Sequence, residues 1–499
     1  MDIKRKDIKR IVLKELKKHF PKFKGLTKKQ KKAIAQQVLE QVCQDYDFSK
    51  DVQTDKYELL NVEPIPKNIY NLHQIEELHD NFNAGTLPLK IKHNPKAIKD
   101  PELKTIHEMV DWAFVNQLLA PDNYFAAGRE IFPVQLFKAE LLKSLKYPEL
   151  SYRKFCEKEI NNNERKENRA FIGLKANKKI DHSQLSQFRS NLPYEKLVNV
   201  MVYFIHLFLN EKKLSKNIFY AVDSTELAER IRTFPLAKIK VGAKHIRIYQ
   251  DIDADCGTRS QKRDKAKFVV GYRLHTLTVI DAEKEVAFPL LSVLAPANHH
   301  DSNFLEILVH FGQAIGLDLN IVIGDQAYGD EEGSEYIQTK HSVTILNEPK
   351  EKKKLPKFVD PKTYQVYLNP YCETSMRYCG KDESNGHEFH CGAETGQCPL
   401  EYSCDKVRYI PIDSGVFGQI PYMFDETQKI LAMRKVSERP FNLLKHREGL
   451  EPLRTIGKKT TTTVAAIANI ATLLIEIAAY RKKKVKQKNE QLELFSKAA

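Results

Sequence analysis

Residues Ile321–Asp330 read IVIGDQAYGD. The β-branched residues Ile321, Val322 and Ile323 run into Gly324 and then Asp325. This pattern predicts a short buried strand that ends in a carboxylate. Gly324 suits a tight turn, and Tyr328-Gly329-Asp330 suits the start of a helix. Asp325 therefore reads either as a helix cap or as a functional acid. A second apolar stretch, Asn217–Val222 (NIFYAV), runs into Asp223-Ser224-Thr225. Two strands that each deliver an Asp at the carboxyl end can set both carboxylates on one rim of a sheet. Such oxygens, with a third acid, suit Mg²⁺ or Mn²⁺ rather than Zn²⁺.

The segments around these acids extend the pattern. Phe268–Ile280 and Val286–Val293 are β-rich, and Asp281–Lys284 between them predicts an antiparallel hairpin. Pro289 places its second strand at a sheet edge or a bulge. Asp301 is expected to cap a helix running to Gly316, and a helix near Glu331–Thr339 leads to a strand at Val343–Leu346. This order predicts an α/β domain with a mixed sheet whose first three strands are antiparallel. Upstream, Pro133 opens the helix VQLFKAELLKSLK, Asp181 caps another, and Tyr194–Leu209 forms a long apolar one. Ile8, Val12, Leu16 and Phe20 recur among lysines, so residues 1–49 read as two basic helices suited to DNA or to packing as a solvated pair. The division expected is 1–49 basic helical, 50–105 linker or loose subdomain and 106–215 helical. Residues 216–347 with 429–482 form the α/β core, 348–428 a Cys-rich insertion and 483–499 a basic, polar tail.

Among 499 residues, Lys and Arg total 80 against 65 acids, a formal net charge of +15. That balance points to a polyanion, either nucleic acid or an anionic membrane surface. Met1–Phe20 has no continuous apolar run, and Val464–Ala479 is interrupted by Asn469, Thr472 and Glu476, so it reads as a buried helix. The expected location is cytoplasmic, with the eight Cys as reduced thiols or metal ligands. Cys372, Cys379, Cys391, Cys398 and Cys404 cluster in the insertion. They suit a structural Zn²⁺ held by Cys391, Cys398 and Cys404 with Cys379, Cys372 or His390 as the fourth ligand, or else free thiols. Asp251, Asp253 and Asp255 mimic a Ca²⁺ loop, but Gly257 comes one place late and Lys262 stands where the bidentate Glu belongs. His299, His300 and Asp301 form a further cluster, with Asp301 preferred as a cap. No Gly-rich phosphate loop indicates an ATP-driven activity.

Taken in order, these pieces resemble the DDE-type transposases of bacterial insertion sequences. The branch is the one with a helical amino-terminal region and a large insertion before the third acid. Asp223 in AVDST resembles the first acid of that family and Asp325 in IGDQAYGD the second. The family pattern Tyr-x2-Arg-x3-Glu-x6-Lys is met by Arg434, Glu438 and Lys445, with Leu431 at the Tyr position. Glu451 is a rival third acid, with Arg447 and Lys458 at the same spacings; ERPFNLLK favours Glu438. GREIFPVQLFKAELLKSLKY, DHSQLSQFRSNLP, FVVGYRLHTL and LAPANHHDS resemble other family segments, so the likeness covers roughly Ile106–Lys482. It implies an RNase H-like core in which Asp223, Asp325 and Glu438 are catalytic and hold Mg²⁺ or Mn²⁺. Arg434 and Lys445 would contact DNA phosphates. The implied partners are double-stranded DNA, as transposon ends and target, and a second copy of the chain in the DNA complex. The implied setting is the bacterial cytoplasm, at the nucleoid when DNA is bound. The alternatives are an inactive or domesticated DNA-binding relative and a nuclease of the same fold without strand transfer.

Overall fold

The computed structural model describes most of residues 56–498. Outside the description lie all but a few of residues 1–55, and 83–94, 121–130, 229–233, 242–243, 260–266, 329–330, 348–354, 370, 383, 394–397, 399–405, 412–423, 448 and 499. The two expected amino-terminal helices fall largely on those residues.

The chain forms a mixed α/β fold around a six-stranded sheet. β1 (Ile218–Ala228) leads to β2 (Ala237–Val241) and β3 (Lys244–Ile248), which among the described residues pair only with each other. β4 (Asp255–Arg259), β5 (Lys267–Asp281), β6 (Val286–Pro296), β7 (Ile321–Gly324) and β8 (Thr344–Asn347) follow. The order across the sheet is β4-β5-β1-β7-β8, with β6 beside β5. β1, β5 and β6 are antiparallel, as the sequence predicts, while β1–β7 and β7–β8 are parallel. Pro289 sits on β6, which among the described strands pairs only with β5, next to a register shift at Leu277/Thr278. An edge strand with a bulge tolerates the missing donor.

Strand alternation assigns the two faces. Tyr220, Val222, Val322 and Ile345 join a large core with the helices Tyr194–Lys212 and Leu305–Ala314. Ala221, Ile323 and Leu346 point the other way and pack against Val359, Val366, Met376, Phe389 and Ile410 of the insertion. The insertion thus covers a sheet face. It carries its own antiparallel sheet of β9 (Arg377–Asp382), β10 (Gly386–His390) and β11 (Val407–Ile410).

Two stretches are more regular than their sequence suggests. Residues 50–105 are not a loose linker where described. The helix Leu72–Asp80 is capped by Asn71 with Gln74, and Pro101–Met109 by Asp100. Ile75, Ile98 and Leu103 enter the main core. The polar tail continues the helix Lys458–Ala498, because RKKKVKQKNEQLELFSKA has no Gly or Pro to stop it. The apolar part of that helix is long enough to cross a membrane, yet 83% of its apolar window is buried within the fold. It packs on β6 and on the helices Tyr194–Lys212 and Pro133–Lys146.

The Asp251–Asp255 loop anchors that helix. Asp251 Oδ2 accepts from Tyr272 Oη and from Gly457 N, both at 2.7 Å, and Oδ1 accepts from Asp253 N at 3.0 Å. A buried carboxylate at a helix amino terminus meets free N–H groups and the positive end of the dipole. The Ca²⁺-like spacing is therefore a clamp. Asp251→Ala leaves three donors without this acceptor and is expected to cost about 2 kcal/mol in a denaturant melt; a loss below about 0.5 kcal/mol would contradict the clamp.

Candidate active site

Asp223 and Asp325 are brought together by strand register. β1 and β7 run parallel through Tyr220↔Val322, Ala221↔Ile323 and Val222↔Gly324. The next residue on each chain is an acid. β1 itself does not stop at Val222, as expected, but continues to Ala228 against β5. What ends there is its pairing with β7, so Asp223 is on a rigid strand and Asp325 on the turn beyond. Gly324 is required by close approach rather than by an unusual turn. A Cβ there would lie 2.3 Å from Asn347 Oδ1 and 3.0 Å from Tyr328 Cβ. The Asp325 side chain accepts from Ala327 N at 2.8 Å, which fixes the turn.

Odd-numbered positions of β1 share the face that carries the insertion. Ala221 belongs to the small core under the insertion, and Leu227 to a second small core with Phe441, Leu444 and Ala465. Asp223 occupies the notch between these two cores. The stretch Met433–Glu438 closes the notch. It is a 3-10 turn rather than part of a regular helix, followed by the short helix Arg439–Asn442 with Pro440 at its start. Proline is acceptable in a first helical turn, which removes its conflict with Glu438.

The charges in the notch act on one another. Burial, then the like charges of Asp325 and Glu438, push the Asp223 carboxyl up to about 7, against the Ser224 N–H and Arg434. Burial and the charge of Asp301 raise Asp325, while Ala327 N–H and Arg434 oppose the rise. Arg434 lies 3.7 Å from Glu438, whose side chain is 63% exposed. The three expected acids and the expected Arg thus share one electrostatic neighbourhood. Lys445 does not join it: its ammonium pairs with Glu451 at 3.1 Å. The rival third acid, Glu451, is engaged by that Lys. Leu431, at the family's Tyr position, is buried in the core under the insertion.

A second polar group, not foreseen as a unit, supports the acids from the opposite face. Arg273 donates to Asp301 Oδ1 at 2.8 Å and to Glu226 Oε1 at 3.3 Å. His275 stacks on Phe304 with centroids 3.7 Å apart, and its Nδ1 lies 3.1 Å from Tyr328 Oη. Burial holds His275 far below its usual pKa and Tyr328 far above, so both are neutral. These contacts tie β1, β5, the Asp301 turn and the turn after Asp325 to one another. Asp301 is not the cap expected; His300 takes that role by accepting from Ser302 N. The signal in the sequence is the pair Arg273 and His275, two apart on one strand face, but their partners are distant along the chain.

The donor chemistry suits a hard divalent cation, since carboxylate oxygens are its preferred ligands and burial, then the like charges of Asp325 and Glu438, lift Asp223. The spacing does not close a ligand set: among the described residues, no three Asp, Glu, His or Cys side chains are near enough to hold one ion. The same holds for the Cys cluster. Cys379 is exposed, with Sγ 3.6 Å from Arg377 O, and Cys372, Cys391 and Cys398 are free thiols. His390 is paired with Glu388 at 2.6 Å, and Cys404 lies outside the described residues.

Compared with family models and with curated proteins, the chain matches none.

The raised Asp223 pKa has a signed consequence. Folded, the group keeps a proton that the unfolded chain loses above 3.8, so its contribution to stability falls as pH rises from there to about 7. In metal-free buffer, Asp223→Asn is expected to raise Tm by a few degrees at pH 8 and to leave it near the parent value at pH 4. Equal differences at both pH values would show that the carboxyl carries no such shift.

Proposed function

We propose that this chain is a DDE-type transposase with an RNase H-like core, which cleaves DNA at transposon ends and joins the 3′-OH to target DNA. The observation that carries the reading is the register Val222↔Gly324, which makes Asp223 and Asp325 neighbours at one sheet end, with Glu438 within charge range. Three antiparallel strands followed by two parallel ones support the core type.

In this reading Asp223, Asp325 and Glu438 hold Mg²⁺ or Mn²⁺. Such ions, when bound, stabilise charge on the attacking and leaving oxygens of an in-line displacement at phosphorus. The chain's own residues set the conditions. β1 fixes Asp223 between two small cores, so its carboxyl moves little. The Ala327 N–H holds Asp325 in place. Arg434 balances the acids and is the cation assigned to the scissile phosphate. Lys445, tied to Glu451, props the segment after Glu438 and is not assigned to phosphate. The bracket of Arg273, His275 and Tyr328 holds the two acid-bearing segments in register. Double-stranded DNA and a second copy of the chain are the proposed partners, consistent with a net charge of +15.

Asp325→Asn keeps the side-chain acceptor for Ala327 N but removes the charge. It is expected to lower Mg²⁺-dependent cleavage of transposon-end DNA at least 1000-fold, on the order of losing a positioned catalytic charge. DNA affinity should change less than about threefold. Equal cleavage by variant and parent would remove Asp325 from the chemistry. A strand-transfer assay on the parent separates the readings: joined products support a transposase, cleavage alone a nuclease.

A further inference from the structure

We infer that the helix His182–Asn191 presents a base-reading face to the major groove of duplex DNA, with cations near both of its ends for the flanking phosphates. The inference rests on the proposed function for the choice of DNA as partner.

The composition of that face sets it apart. The ten-residue helix exposes Ser183, Ser186, Gln187, Ser190 and Asn191 and buries Leu185 and Arg189. None of its exposed side chains is charged. By contrast, Leu72–Asp80 exposes Glu76, Glu77 and Asp80, and Pro101–Met109 exposes Lys104 and Glu108. Ser and Asn are weak helix formers, because their side chains compete for backbone groups. A helix face that is only solvated is better filled with strong formers and charges. Neutral hydroxyl and amide groups are what match base edges: Asn and Gln meet adenine through two bonds, and Ser suits several bases. Gln184 is used in the capping box with Asp181, and Ser190 donates to Gln187 O. The groups assigned to bases are therefore Ser186, Gln187 and Asn191.

The helix is held firmly from behind. Arg189 pairs with Glu140 of the helix Pro133–Lys146, with side chains 5% and 2% exposed. Tyr152 Oη donates to the same carboxylate at 2.9 Å, and the Arg189 guanidinium lies 3.8 Å over its ring. Thr463 of the long carboxyl-terminal helix donates to Arg189 O at 3.2 Å. Parting such a pair would strand a buried charge, so the helix keeps one orientation.

Cations stand near both ends. Residues 173–180, just before the cap, hold Lys175, Lys178 and Lys179 and no acid. Arg169 fixes this loop by donating to the carbonyl oxygens of Lys175, Ala176 and Lys178. Asn161 exchanges two hydrogen bonds with Ile180, at 2.9 and 3.1 Å. Lys175 and Lys179 are exposed. Near the carboxyl end, the contact of Arg189 with Tyr152 brings in the helix Tyr152–Phe155, whose Arg153 and Lys154 are exposed. The reading helix is about 15 Å long at ~1.5 Å per residue. The major groove of DNA is about 12 Å wide between its phosphate edges. Neutral donors and acceptors between two cation groups thus match bases between two phosphate strands. An acidic peptide would engage the cations and leave the neutral face unused, and the major groove of duplex RNA is too narrow to admit the helix.

The test uses the full chain and a library of randomised duplexes of about 30 base pairs, close to three helical turns. Duplexes retained by the parent, by Ser186→Ala/Gln187→Ala and by Lys175→Ala/Lys179→Ala are sequenced. Affinity for the parent's preferred duplex is followed by fluorescence anisotropy across a range of salt. The parent is expected to enrich a motif. Ser186→Ala/Gln187→Ala should lose the preference at adjacent positions of that motif, bind the preferred duplex at least about fivefold more weakly and keep the parent salt slope. Lys175→Ala/Lys179→Ala should keep the motif, weaken binding to every duplex and make the slope shallower by about 1 for each phosphate no longer neutralised. Neither variant should lower Tm, because the changed side chains are exposed. An unchanged motif in Ser186→Ala/Gln187→Ala would overturn the inference. So would a parent that enriches no motif, or one displaced equally well by duplex RNA of the preferred sequence. Cleavage of transposon-end DNA, assayed in parallel, separates the two claims. A parent that never cleaves but whose motif depends on Ser186 and Gln187 keeps the face and loses the enzyme reading; cleavage with a motif that ignores them does the reverse.

Discussion

The parallel pairing of β1 with β7 is the contact on which the rest depends. It lasts three residue pairs and stops where each chain reaches an Asp. Because side chains alternate along a strand, a slip of one residue would turn one acid to the opposite face. The slip is resisted from both sides. Tyr220, Val222 and Val322 are held in the helical core, and Ala221 and Ile323 under the insertion. The absent side chain at Gly324 lets Asn347 and Tyr328 close against the strand. Packing on two faces thus fixes an electrostatically unfavourable neighbourhood, in which burial and like charge lift Asp223.

The long helix Lys458–Ala498 explains how so many segments hold that pairing. It runs between the helical region and β6, and its start is tied to the Asp251 loop, far from it in sequence. Asn469 donates to Ser292 on β6 at 2.8 Å, a polar tie inside an otherwise apolar contact. The insertion contributes in the same way, by covering the second sheet face, so it is part of the packing of the α/β core and not an appendage.

Much of this is legible in local pattern. The β-branched runs before Asp223 and Asp325, the Pro133 and Asp181 helix starts and the β5–β6 hairpin all depend on neighbours in sequence. Spacing and likeness to a family segment select Glu438, and its charge acts on Asp223 in the fold. What escapes the sequence is non-local or weakly patterned. Lys445 fits the spacing yet turns to Glu451, because the chain folds back after Gly449. The partners of Arg273 and His275 lie on other strands and turns. RYCGKD and GHEFH are too short and polar to announce strands; they pair because the insertion packs on Ile323 and Leu346.

The central claim is that Asp223, Asp325 and Glu438 serve one cation site. Fe²⁺ substituted for Mg²⁺, with ascorbate and peroxide, generates hydroxyl radicals that cut the polypeptide near a bound ion, and the fragments can be mapped by mass spectrometry. The expected result is cuts close to all three residues, suppressed together by excess Mg²⁺ and lost together in Asp223→Asn. Cuts near Glu451 in place of Glu438, or cuts at Asp223 and Asp325 that respond to Mg²⁺ separately, would contradict the claim.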